Sequence, residues 1–75
     1  MKFPVVYEQI EEKDFPEGYY YAHIPTLGLT THGKGIEGAK SAANDLIKLW
    51  LEEKASNNEP VIAPQDVLFA TLEIA

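Results

Sequence analysis

"HGKGIEGAK" (His32–Lys40) is where an extended pattern gives way to a helical one, and its reading decides the fold. Gly33, Gly35 and Gly38 stand in G-x-G-x-x-G spacing, the fingerprint of a dinucleotide-binding turn. That turn needs a strand before it, a helix after it, and a parallel βαβ unit around it. It also needs an acid at the end of the next strand, about 20 residues on. Glu52 and Glu53 lie at about that separation, but within the helix itself. One helix cannot cover both faces of a doubly wound sheet. The spacing is therefore read as structural. Gly33 closes a short strand in a turn, and Gly35 stands before the helix as its N-cap, where glycine is tolerated. Gly38 falls where a glutamate would complete a capping box. Glycine there costs about 0.5–1 kcal/mol relative to alanine, so either the helix starts later or this position needs close approach by another backbone, which at an interface is a partner's.

Upstream, "KFPVVYEQIE" (Lys2–Glu11) is β-branched and aromatic, with Phe3, Val5 and Tyr7 on one face of a strand. Pro4 places the start of that strand at an edge. "EKDFPEG" (Glu12–Gly18) is a polar hairpin loop. "YYYAHIP" (Tyr19–Pro25) is a second strand, with Tyr19, Tyr21 and His23 on one face and Tyr20, Ala22 and Ile24 on the other. Leu29–Thr31 is a short third strand. From Ile36 to about Lys54, the residues Ile36, Ala39, Ala43, Leu46, Ile47, Trp50 and Leu51 recur at helical spacing on one face. Asn57 or Asn58 supplies the left-handed cap, and Pro60 forbids continuation. Val61–Gln65 reads as a connector. "DVLFATLEIA" (Asp66–Ala75) reads as a final strand, buried on both faces.

The order is β-β-β-α-β: an antiparallel meander, one helix over one face, and a last strand joining the sheet. That is an α+β two-layer sandwich, one domain over residues 1–75. The other sheet face stays uncovered and is the expected association surface, with Tyr19, Tyr21, His23, Gly38 and Phe69 as candidate interface residues.

The 75 residues include no cysteine, so there is neither a disulfide framework nor a thiolate metal site. A single core of this size supplies about 3–5 kcal/mol, which points to a homodimer or higher oligomer as reinforcement. Twelve acidic residues face six basic ones, all lysines, giving a formal net charge of −6. Phosphate neutralisation needs cations, so direct nucleic-acid binding is not expected; the acidic surface either suits a basic partner or simply keeps the chain soluble. No apolar run reaches membrane-spanning length, and the chain is expected to be soluble and cytoplasmic.

Two isolated histidines, His23 and His32, lack the spacing of a metal site. The carboxylates Glu11, Glu12, Asp14, Glu17 and Asp66 are set against the metal-assisted nuclease they could serve, because solvated charge at loop and strand ends explains them. Stacking of bases on the tyrosine run lacks the basic stripe it requires. No nucleophile elbow or activated thiol is present. The chain is thus read as non-enzymatic, with no cofactor and no metal.

The stretch Gly18–Glu53 resembles the N-terminal domain of HicB-family antitoxins. "FPVVYEQ" (Phe3–Gln9) matches the family's opening strand, and Gly18–Ile24 its aromatic strand. "PTLG" (Pro25–Gly28) is a shortened form of its turn, and "LTTHG" (Leu29–Gly33) its Thr-containing strand. "GIEGA" (Gly35–Ala39) and "ANDLIKLWLEE" (Ala43–Glu53) match its helix. The resemblance covers Phe3 to about Pro64. It implies a partial ribonuclease H-like fold without that enzyme's carboxylate set. It also implies a role: binding a small basic HicA-type, mRNA-cleaving toxin and masking its active site. Two departures stand out, Gly35 and Gly38 in place of the family's helix-start Thr and second Glu. Many members carry a further DNA-binding domain. Residues 1–75 show no such pattern, so operator binding is not expected of them. A non-catalytic, self-associating scaffold or small-ligand module of the same fold is the alternative.

Overall fold

A computed structural model describes residues 2–60 and 70–73. Three strands and one helix follow in order: β1 (Val6–Gln9), β2 (Tyr19–Ile24), β3 (Leu29–Lys34) and α1 (Gly35–Ser56). The strands form an antiparallel sheet in the order β1-β2-β3. Pairing of Tyr7 with Ala22 and of Ala22 with Thr31 fixes the register. Side chains alternate across a strand, so this register divides β2 as its sequence predicts. Tyr20, Ala22 and Ile24 face α1, while Tyr19, Tyr21 and His23 face away.

The helix lies across β2 and β3. Ala22, Ile24, Ala39 and Ala43 form the buried cluster between the layers, and Phe3, Val5, Tyr7, Leu46 and Ile47 pack around it. Ile24 is the one large side chain fully buried among the described residues. This is a core of small residues, and that brings the helix close to the sheet.

The closest approach joins two of the glycines. A Cβ placed on Gly33 would lie 2.3 Å from the carbonyl carbon of Gly38 and 2.6 Å from the amide nitrogen of Ala39. Gly33 therefore does not turn the chain. It sits inside β3, paired with Tyr20, and the strand runs on to Lys34 rather than stopping at Thr31. The helix does not start later than expected, and the backbone that Gly38 meets is that of Gly33 in its own chain. Gly35 is not the cap: Lys34 holds that position, without a side-chain hydrogen bond. Gly35 instead adopts φ 68°, a left-handed conformation in which a Cβ is strained, and its N–H donates to the Gly18 carbonyl at 2.6 Å.

At the far end the capping residues act as their sequence suggests. Asn58 has φ 54°. Its N–H donates to Ala55 and that of Glu59 to Lys54, the paired bonds of a Schellman motif. The Lys54 ammonium meets the Glu59 carboxylate at 2.6 Å and lies over the Trp50 ring. Trp50 itself packs edge-on against Phe3 at the layer's rim.

Two expectations change. Ile36, assigned to the apolar helix face, is 44% exposed, and the first turn meets β3 through the Gly38 backbone instead. The final strand expected over Asp66–Ala75 lies largely outside the described residues, as does the connector Val61–Gln65. The four described there, Ala70–Glu73, are exposed and carry no strand pairing, and Leu72 is 81% exposed rather than buried on both faces.

Candidate functional site

The sheet face turned away from α1 collects most of the chain's distinctive chemistry. β2 is the central strand, so its outward residues gain neighbours from both sides. Tyr21 lies opposite Glu8 on β1 and His32 on β3. His23 lies opposite Val6 and Thr30. The register alone therefore builds a patch of Glu8, Tyr21, His23, Thr30 and His32.

Hydrogen bonds fasten the patch together. His23 Nε2 is 2.9 Å from Glu8 Oε1, and its Nδ1 is 3.0 Å from Thr30 Oγ1. The Tyr21 hydroxyl donates to Glu12 Oε1 at 3.1 Å. That bond holds the phenol protonated and raises its pKa above the ordinary 10.0, with smaller contributions from desolvation and from the charges of Glu12 and Glu8.

The loop between β1 and β2 folds back over one end of this face. Phe15 packs against Tyr19 at 5.6 Å, His32 at 5.2 Å and Tyr21 at 6.3 Å between ring centroids. Ile10 continues the outward alternation of Val6 and Glu8, yet is only 5% exposed and lies apart from the helix-side cluster. So the face expected to be bare is roofed at one end by its own loop. Glu8 and Thr30 remain exposed beyond it, with Tyr21 and His23 half-buried between them, and His32 stays exposed even beside Phe15.

Of the residues singled out in the sequence, Tyr19, Tyr21 and His23 come together on this face. Gly38 lies on the opposite side, under α1. Phe69 lies outside the described residues. Glu8, Glu12, Phe15, Thr30 and His32 join the patch without having been marked as part of it. Phe15 carried a signal, a lone aromatic in a polar loop. The others depend on a register that the loop length alone does not give.

Thr30, His23 and Glu8 form a hydroxyl–imidazole–carboxylate line. Acyl transfer also requires preorganised donors converging on a developing oxyanion in a sheltered site. Here the line lies on an open sheet, with the Glu8 side chain 62% exposed. Among the described residues no group of three or more His, Asp or Glu side chains gathers as a metal would require. The glycine fingerprint is occupied by the fold: Gly33 and Gly38 touch each other, and the Gly35 N–H is bonded to Gly18.

A concavity lies beside β1 on the helix side. It has a volume of about 650 Å³, with Phe3, Val5, Tyr7 and Ile47 along its apolar wall and Glu37 and Lys40 at its rim. Among the described residues no helix is long and apolar enough to cross a membrane.

Compared with known protein families, curated proteins and solved structures, the chain matches none.

Proposed function

We propose that this chain is a HicB-like antitoxin-type domain that binds a small basic, RNA-cleaving toxin and masks its active site. The observation that carries the reading is the pairing of architecture with charge. An antiparallel three-strand meander with one helix on one face presents, on its other face, aromatic rings fringed by carboxylates. The chain around it has a net charge of −6 and no arginine. Such a surface steers and registers a cationic partner, and it repels nucleic acid. In this reading the fold is the partial ribonuclease H-like one, and the chain acts by occlusion, without catalysis or cofactor.

The test is biochemical. The product of the neighbouring reading frame is purified with and without this chain, and RNA cleavage is followed. Cleavage that stops on adding a stoichiometric amount of the chain supports the role. Absence of any small basic ribonuclease encoded nearby, together with no inhibition, removes it.

Self-association goes with either this role or the alternative, a scaffold without a toxin. It is favoured by the thin core, in which Ile24 is joined only by alanines in the buried layer. Light scattering of the full chain at micromolar concentration should give a dimer or larger species. A stable monomer would count against it.

A further inference from the structure

We propose that the Tyr21 patch is an arginine-receiving site, in which a guanidinium from a basic protein partner stacks on the Tyr21 ring between Glu8 and Glu12. The inference deepens the partner reading above and rests on it for the nature of the partner.

Tyr21 sits at the centre of the sheet face turned away from α1. Glu8 is its direct cross-strand neighbour, and Glu12 holds its hydroxyl. The ring is thus flanked by one carboxylate at its side and another at its tip. Each is already fixed through one oxygen, Glu8 by His23 and Glu12 by Tyr21. The second oxygen of each has no hydrogen-bond or lysine partner among the described residues. Phe15 and His23 neighbour the ring at 6.3 and 5.6 Å between centroids, tilted to it by 56° and 37°. A half-buried aromatic plate with two anchored acceptors near its edge suits a planar cation that both stacks and donates in a fork. Guanidinium does this, and an ammonium does not. Charge complementarity names the source. The chain has no arginine of its own to fill the site, and it carries twice as many acidic as basic residues, so the cation comes from a basic partner.

The probe is a hexa-arginine peptide titrated into the isotope-labelled full chain, with hexa-lysine as comparison. Amide shifts should concentrate on Glu8, Glu12, Tyr21 and His23, and hexa-arginine should bind more tightly than hexa-lysine. Tyr21→Leu keeps an apolar strand residue but removes the plate, and should weaken hexa-arginine binding about two- to fivefold. Glu8→Gln and Glu12→Gln should each weaken it as well, in chains whose circular dichroism is unchanged. Equal affinity for the two peptides, shifts spread over all the carboxylates, or Tyr21→Leu binding like the parent would each overturn the proposal. The two readings fail separately. A toxin still inhibited by the Tyr21→Leu chain sinks the arginine site alone. Peptide binding at Tyr21 in a chain that inhibits no ribonuclease sinks the antitoxin role alone.

Discussion

Replacing Gly33 with alanine tests the closest contact in the fold. The added methyl would sit 2.3 Å from the Gly38 carbonyl carbon and 2.4 Å from its oxygen. Both belong to helix backbone, and neither can swing aside as a side-chain tip can. To restore ordinary contact the start of α1 must lift about 1 Å from the sheet. Ala39, the residue after Gly38, is fully buried, so the lift opens the layer at its tightest point. Overpacking of this kind costs about 1–3 kcal/mol, and rigid backbone on the receiving side puts it at the upper end. Gly33 does not have a positive φ, so alanine also gains about 0.4–1 kcal/mol by restricting the unfolded chain. The net loss is about 2 kcal/mol. Against a core supplying about 3–5 kcal/mol, that is roughly half the stability.

Urea unfolding, followed by far-ultraviolet circular dichroism and by Trp50 fluorescence, measures the effect. Gly38→Ala is the control. Its methyl would meet Gly33 at 3.3 Å, tight but close to ordinary contact, and the helix gains about 0.5–1 kcal/mol from losing a glycine. Its stability should stay within about 1 kcal/mol of the parent. A Gly33→Ala chain as stable as the parent, or a Gly38→Ala chain less stable than Gly33→Ala, would refute the reasoning.

Ile24→Ala removes the one large, fully buried side chain among the described residues and should cost about 2–5 kcal/mol, leaving the chain largely unfolded by circular dichroism; Ile24→Val should cost only about 0.5–1.5 kcal/mol. Asn58→Ala puts a less tolerant residue at φ 54° and should lower the thermal midpoint by the equivalent of about 1 kcal/mol, whereas Asn58→Gly should hold or raise it. The Tyr21 phenol should ionise at a higher pH than an ordinary tyrosine in an ultraviolet titration, and Glu12→Gln should move it back towards 10.0. Because the folded-state value is raised, the bond's contribution to stability is fully present below the ordinary tyrosine pKa. It is lost as pH rises through the raised value.

The features legible in the sequence are those with a local period. "YYYAHI" sorts its side chains by strict alternation, and the structure sorts them the same way. The helix follows from its recurring Ala39, Ala43, Leu46 and Ile47, and its end from Asn58 and Pro60. The Gly33–Gly38 contact has no local signature of its own. It arises from the way a strand and the following helix fold back on each other, and the motif spacing was filled by that contact. His23 with Glu8 is a pair separated by 15 positions, created by hairpin register. Ile36 fits the helical period, but periodicity does not say which residue of a turn meets the sheet, and here it is Gly38.

The Gly33–Gly38 contact also bears on where the aromatic side chains lie. A helix held that close to its sheet, over Ala22, Ala39 and Ala43, leaves no depth for rings between the layers. The rings are displaced to the margins: Phe3 and Trp50 to one rim, Tyr7 and Tyr20 around the cluster, and Phe15, Tyr19 and Tyr21 to the far face. Every described aromatic side chain is half-buried, and none is fully covered. A small domain that places its rings this way gains little from them alone and more from whatever covers them. Stability and the aromatic area open to a partner are therefore linked. A substitution that loosens the glycine contact should admit rings to the interior and reduce the aromatic area left for a partner. Gly33→Ala is then expected to weaken the proposed self-association as well as folding. A variant that self-associates as the parent does after losing half its stability would separate the two.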